Sequence, residues 1–376
     1  MPNSVSSCSS SRVFAPVFFA ITSKSANDFR KQTQRSTQAR TDAVTSGSLW
    51  EDDTLSTPLT PEIFARRART IPRLLALALL ASALSPVLFS LALLVDLARF
   101  ASAGRPFMSI RVLAFGFVYL AAEVSGLAML AVDRSIDGTY AVQARWGHAL
   151  FAAVSALFRL RFVIEGDDVL TEVDRPVVIV RHTSIIDSLL PTIFITRAHG
   201  MRLRFVLKRE LLEDPCLDIA GMRLPNHFAS RTREGTADDL AAIRVLAEGL
   251  APDEGALIYP EGTRFTAEKR ERALARLAVD APALLDDATA LVHLMPPKPA
   301  GVAALLDGAP RADAIFVAHD GLEGFVSVND IWSGALLGRT VRVRMWRVPR
   351  ADIPEEPHAR TRWLYAEWRK MDAWLG

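Results

Sequence analysis

Residues 74–95, Leu74 to Val95, run for 22 positions without a charged side chain, and four arginines, Arg66, Arg67, Arg69 and Arg73, stand just before them. A helix rises 1.5 Å per residue, so about 20 apolar residues match the roughly 30 Å hydrocarbon core of a bilayer. Length, apolarity and flanking cations predict a transmembrane helix whose N-terminus lies in the cytoplasm. A buried core helix is the competing reading. Pro86, near the middle, is expected to kink the helix. A second apolar stretch, Val112 to Val132, is broken by one acid, Glu123. Acids at membrane depth are costly and face protein or water. This stretch is therefore a second span or the returning arm of a hairpin. Two spans leave the rest of the chain on the cytoplasmic side, although Arg99, Arg105 and Arg111 in and around the connector weaken that orientation.

The remaining composition is that of an ordinary folded protein. Half of the 376 residues are hydrophobic and 23% are charged, enough for one large domain or two modest ones. A net charge of +2 gives no footing for nucleic acid. The two cysteines, Cys8 and Cys216, are too few for a disulfide framework or a Cys-based zinc site, and suit a reducing compartment. The seven histidines show neither H-x-x-x-H nor H-E-x-x-H spacing, so no metal site is expected. Residues 1–60 are rich in Ser and Thr and are expected to be a disordered or leader segment. The apolar patch Val13 to Ile21 inside it is too short to span a bilayer. It fits a signal-like core, a transit-type leader or a start site placed too early.

Beyond residue 135 the pattern changes. Tyr140–Leu160 reads as an amphipathic helix. Strand-like runs then alternate with helical ones: strands at 161–166, 175–181, 204–208, 226–231, 256–260, 314–318 and 341–348, helices at 185–196, 236–250, 266–285 and 356–375. The expectation is an α/β fold, a mixed sheet flanked by helices, preceded by an N-terminal transmembrane helical hairpin. The domains are then a leader over 1–60, a membrane anchor over 61–135 with one or two spans, and a catalytic domain over 136–376.

Two short motifs carry chemistry. In H-T-S-I-I-D an apolar strand delivers His182 to its C-terminal end, and Asp187 falls in the first turn of the following helix. Ligands bind at such strand ends in open α/β sheets. An imidazole titrates in the range a general base needs, and a carboxylate beside it fixes its tautomer. Taken alone, a histidine at a strand end is more often structural. In Y-P-E-G-T-R, Tyr259 to Arg264, Gly262 allows a left-handed backbone. Thr263 and the Arg264 guanidinium suit a phosphate. The bland alternative is a strand-to-helix turn in which Thr263 caps the next helix.

The two motifs in this order, about 75 residues apart, resemble the glycerolipid acyltransferase family, which includes the 1-acylglycerol-3-phosphate acyltransferases and carries H-x-x-x-x-D followed by F-P-E-G-T-R. The family's intervening block is matched by Lys208, Glu210, Leu211, Pro215 and Arg231, although Asp218 stands where Gly is common. Pro297, Lys298 and Gly301 match a later Pro-basic-x-x-Gly loop, with Pro299 and Ala300 departing from it. Arg181 replaces the usual Asn before the histidine.

The resemblance implies roles. His182 is the general base and Asp187 its orienting acid. Glu261, Gly262, Thr263 and Arg264, with Arg231, form the acceptor phosphate site, supported by Lys208, Pro297 and Lys298. It implies transfer of a fatty acyl group from acyl-CoA or acyl carrier protein to a lysophospholipid hydroxyl at a bilayer, with no cofactor and no metal. Lysophosphatidic acid is the default acceptor. Glycerol-3-phosphate, lysophosphatidylinositol, lysocardiolipin or an aminolipid are alternatives, as are a thioesterase or a non-catalytic lipid-binding protein. Near the C-terminus, Leu364, Trp368, Met371 and Leu375 form one apolar stripe, read as packing onto the domain in preference to membrane contact. Arg342 and Arg344 share a strand face that is either solvated or meets anionic headgroups.

Overall fold

The computed structural model describes residues 12–14, 60–184, 186–229, 237–323 and 328–376. The expected leader, apart from one short strand, lies outside the described residues. That strand, β1 (Arg12–Phe14), opens the order of elements.

Helices α1 (Pro61–Ala83) and α2 (Ser85–Ala103) replace the single span expected at 74–95. The break falls at Leu84, two residues before Pro86. Proline has no N–H for the carbonyl four residues back, which is Ser82. The Ser85 hydroxyl takes that place, donating to the Ser82 carbonyl at 2.8 Å. The arginine-bearing α1 thus begins well before the apolar run, and the apolar helix extends past Val95 to Ala103. Helix α3 (Ser109–Val132) forms the return arm. Both α2 and α3 are long and apolar enough to cross a membrane, with mean hydropathies of 1.6 and 1.8. Leu91, Leu94, Val95, Leu97 and Phe100 of α2 point outward.

The connector between the arms is closed by a carboxylate. Asp96 is fully buried and accepts the backbone N–H groups of Met108 (3.2 Å), Ser109 (2.9 Å) and Ile110 (3.0 Å) and the Ser109 hydroxyl (2.6 Å). These are the orphan donors that begin α3, where the helix dipole also favours an anion.

Helix α4 (Ile136–Phe158) leads into β2 (Arg161–Glu165), β3 (Val177–Val180), β4 (Arg202–Lys208), α5 (Pro215–Arg223), β5 (His227–Ala229), α6 (Ala237–Ala247) and β6 (Glu254–Ile258). Then come α7 (Ala267–Asp280), α8 (Leu285–Thr289), α9 (Pro299–Gly308), β7 (Ala314–Asp320), α10 (Val328–Ser333), β8 (Thr340–Val348) and α11 (Pro357–Leu375). The strands form one mixed sheet in the order β1-β2-β8-β7-β3-β6-β4-β5. Seven belong to the α/β domain, and β1 adds antiparallel to β2 at the edge. Strands β7, β3, β6, β4 and β5 are mutually parallel, so their C-terminal ends share one edge of the sheet.

The central strands are buried on both faces, which is why β3 and β6 read as unbroken apolar runs. Val178 and Val180 face a core built with Leu150, Val154 and Phe158 of α4. Val177 and Ile179 face the opposite core, with Ile243 of α6, Leu305 of α9 and Trp368 of α11. The C-terminal helix is therefore a packing element: Leu364, Trp368 and Met371 are buried.

Three expectations need correction. The helix expected over 185–196 is a 3₁₀ turn, Asp187–Leu189, followed by a π-helical turn, Thr192–Arg197, whose backbone widens around the buried Ile193, Phe194 and Ile195. The charged helix expected to reach Leu285 ends at Asp280, one residue before Ala281-Pro282, since the residue preceding proline is driven out of the helical region. It is capped by Thr266, whose side chain accepts the Lys269 N–H at 3.3 Å, and not by Thr263.

Arg66 and Arg67, read from sequence as a membrane flank, hold α1 to the domain. Both bind the buried carboxylate of Asp218 on α5, at 2.8 and 3.0 Å. Glu123 of α3 accepts the Trp146 indole N–H at 2.6 Å and the Cys216 backbone N–H at 3.3 Å, so this acid faces protein, as its cost predicts.

Candidate active site

Strand β3 ends at Val180, and the chain turns back on itself over His182 to Asp187. The turn is held by the carboxylate of Asp187. Its Oδ2 accepts the N–H of Thr183 at 2.6 Å and of Ser184 at 2.8 Å. The Ser184 hydroxyl accepts the Ile186 N–H at 3.1 Å. The same carboxylate lies 3.1 and 3.2 Å from Nδ1 of His182. One acid, fully buried, thus shapes the loop and orients the imidazole. Burial alone would raise the Asp187 carboxyl, but the donors that His182 and His319 turn on it outweigh burial and hold the group well below the ordinary carboxylate range. The His182 side chain keeps 17% of its surface exposed. With Nδ1 occupied by Asp187, Nε2 is the nitrogen left for a ligand.

Strand β6 lies beside β3 and ends at Ile258, bringing the second motif alongside. The Tyr259 ring sits 5.1 Å from the His182 ring, and its hydroxyl donates to the Asp187 carbonyl at 3.4 Å. Glu261 is turned inward. It is 2% exposed and accepts the backbone N–H of His182 at 3.1 Å. Burial pushes its carboxyl up to about 8, against the pull of the Arg181 guanidinium. The buried Glu261 side chain, with this partner, braces the backbone under His182.

Gly262 takes φ +64°, the left-handed region that an L side chain enters only with strain. A Cβ there would sit 3.3 Å from Nζ of Lys298. The later Pro-basic loop is therefore stacked on the second motif, and the Lys298 backbone N–H donates to the Pro260 carbonyl at 2.9 Å. Gly262 and Lys298 are exposed, Thr263 and Arg264 half-buried, and Pro297 buried. Lys208 ends β4, one strand beyond β6 on the same edge of the sheet. Arg231 lies outside the described residues.

Behind the site is a framework that motif reading missed. Arg181, 3% exposed, donates to the His319 carbonyl, to Glu323 Oε1 at 3.0 Å and to the His293 carbonyl at 3.4 Å. It ties the end of β3 to β7 and to the loop before the Pro-basic block. Asp372 of α11 accepts the N–H groups of Val292 (2.9 Å) and His293 (2.7 Å), and the Trp368 indole donates to the Met295 carbonyl at 3.1 Å. Of these, only His319 has a sequence signal: it ends an apolar strand, A-I-F-V-A-H-D, as His182 does.

The site thus gathers an orienting carboxylate, an imidazole whose Nε2 is left for a ligand, and a glycine turn beside Lys298 at the C-terminal edge of the parallel strands. Residues 161–298 match the family model described as Acyltransferase. A solved structure similar to this chain is the 1-acyl-sn-glycerophosphate (LPA) acyltransferase PlsC from Thermotoga maritima. It is 12% identical, with 81% of this chain and 96% of that one covered and a TM-score of 0.41. No curated protein sequence matches the chain.

Proposed function

We propose that this protein is a membrane-anchored O-acyltransferase that moves a fatty acyl group from acyl-CoA to the free hydroxyl of a lysophospholipid. The default acceptor is 1-acylglycerol-3-phosphate, giving phosphatidic acid. The observation that carries this reading is the His182–Asp187 pair at 3.1 Å beside the Gly262 turn and its cations.

In the proposed step the acceptor hydroxyl gives its proton to Nε2 of His182 as its oxygen bonds to the thioester carbonyl carbon. Asp187, its charge held by three donors, stabilises the imidazolium that forms. The tetrahedral oxyanion collapses, the carbon–sulfur bond breaks, and the imidazolium returns the proton to the departing thiolate. No covalent enzyme intermediate, metal or cofactor is required. Thr263, Arg264 and Lys298 hold the acceptor phosphate, with Lys208, at the end of β4, and Arg231, by the family resemblance, as further cations. The apolar α2 and α3 lie in the bilayer, with the domain on the cytoplasmic side.

The test is product analysis. Membranes bearing the protein receive labelled acyl-CoA, or labelled acyl carrier protein, with lysophosphatidic acid, glycerol-3-phosphate, lysophosphatidylinositol or lysocardiolipin in turn. Labelled phosphatidic acid is the expected product. Transfer only to another acceptor would move the assignment within the class. Free fatty acid without acylated lipid would replace it with a thioesterase. No turnover with any pair would leave a lipid-binding protein.

A further inference from the structure

The carboxylate that serves His182 has a second histidine behind it. His319, at the end of β7, is fully buried. Its Nε2 lies 3.1 Å from the Arg181 carbonyl and 3.6 Å from Asp187 Oδ2. Its Nδ1 is buried with no hydrogen-bond partner among the described residues. A neutral imidazole has one donor and one acceptor nitrogen. With the proton on Nε2, the ring's single donor is given to the Arg181 carbonyl with its positive edge turned towards Asp187 Oδ2 at 3.6 Å, and the bare Nδ1 is the nitrogen left unpaired. With the proton on Nδ1, a buried N–H would have no acceptor, and Nε2 would turn a lone pair on two oxygens. The geometry selects the first arrangement.

Asp187 therefore sits between two imidazoles, with His182 on the exposed side and His319 on the sealed side. The backbone donors of Thr183 and Ser184 come from the loop that Asp187 itself organises. His319 stands on a different strand, anchored through the central sheet by its pairing with β3 and β8. Its own carbonyl is held by the Arg181 guanidinium, so β3 and β7 are cross-linked in both directions.

We propose that His319 is a positioning residue for the transfer reaction: its Nε2–H, given to the Arg181 carbonyl with its positive edge turned towards Asp187, fixes the acid against the rigid sheet so that His182 presents Nε2 to the acceptor hydroxyl. This rests on the acyltransferase reading above. His319 touches no reacting atom and acts only through Asp187. The consequence is specific. Loss of the donor lowers turnover without changing how either substrate binds, and a side chain that restores a donor at the position of Nε2 restores turnover.

The experiment compares the wild type with His319→Leu and His319→Gln in the full-length membrane-bound protein. The glutamine amide places an N–H near the position of the imidazole Nε2, whereas leucine fills the space without one. His319→Leu is expected to lose about tenfold to a hundredfold in kcat, with KM for acyl donor and acceptor unchanged within a factor of two, and His319→Gln to recover most of the loss. Unchanged kcat in a folded His319→Leu protein, or a glutamine variant as impaired as the leucine one, would overturn the proposal. A second measurement needs no turnover. In 15N-histidine spectra the His319 signals, identified by their loss in His319→Gln, should show the proton on Nε2 and a bare Nδ1. The opposite tautomer would overturn the proposal by itself. Absence of acyl transfer from the wild type with that spectrum intact would count against the acyltransferase reading and leave the Asp187–His319 link standing.

Discussion

Arg66 and Asp218, 152 residues apart in the chain, are joined by a 2.8 Å ion pair, and Arg67 completes the contact from the other oxygen at 3.0 Å. Helix α1 is thereby locked to the helix that follows β4. Asp218 is wholly buried, while the two arginines keep 16% and 20% of their side-chain surface in contact with solvent. The asymmetry gives a prediction. Removing both arginines strands a buried carboxylate, which costs about 3–5 kcal/mol. Removing the acid leaves two cations that can reach water, a smaller cost. The Arg66→Ala/Arg67→Ala double variant should therefore melt well below Asp218→Ala in detergent. The reverse order would show that Asp218 has no need of the pair.

Glu261 predicts a pH dependence of stability. Its folded carboxyl is raised to about 8 by burial, from an ordinary value near 4.5. Between those values the folded state holds a proton that the unfolded chain has lost, so stability must fall as pH rises through the window. Glu261→Gln keeps an oxygen for the His182 N–H and removes the titration. Its melting temperature should change less between pH 5 and pH 8 than that of the wild type. Parallel curves for the two proteins would contradict this placement of the acid.

Gly262 makes a different prediction. At φ +64° a side chain costs about 1–2 kcal/mol, and a new Cβ would press on the Lys298 amine. Gly262→Ala should melt lower by that cost and raise KM for a phosphate-bearing acceptor. kcat at saturating acceptor should stay within a few-fold, because His182 and Asp187 are untouched. A large fall in kcat with normal KM would assign the turn to the chemical step.

Much of this arrangement is legible in sequence because the signals are local. The unbroken apolar runs of β3 and β6 mark strands buried on both faces, and each motif lies at the end of one, so the meeting of His182 with Gly262 follows from parallel pairing. The five-residue spacing of His182 and Asp187 fits a tight turn closed by the acid. What sequence hides are contacts that depend on distant chain segments. Nothing near Asp218 tells that Arg66 will reach it, and nothing in the C-terminal stripe tells that Asp372 will hold the backbone at Val292. The inward turn of Glu261 onto the His182 backbone is hidden for the same reason, since it depends on how the loop packs against a neighbouring strand end. The split at Leu84 and the π-helical turn after Leu190 are local in effect but arise from how proline and the surrounding core settle, which periodicity does not record.

The pairing of Asp187 with three donors makes its replacement severe. Asp187→Asn keeps one oxygen, which can stay on the Thr183 and Ser184 N–H groups, and sets its NH2 against the Nδ1–H of His182, a buried donor facing a donor at about 1–3 kcal/mol. The variant should lose both stability and nearly all turnover. A stable, active Asp187→Asn protein would contradict the geometry of the loop.

The central claim is that His182 is the base. The most direct measurement is kcat for acyl transfer by the wild type and His182→Ala, both inserted in membranes and matched for folding by their melting curves. A positioned general base contributes about 10²–10⁴-fold. The account predicts a loss in that range with the acceptor KM little changed. Turnover within a few-fold of the wild type in the folded variant would contradict it.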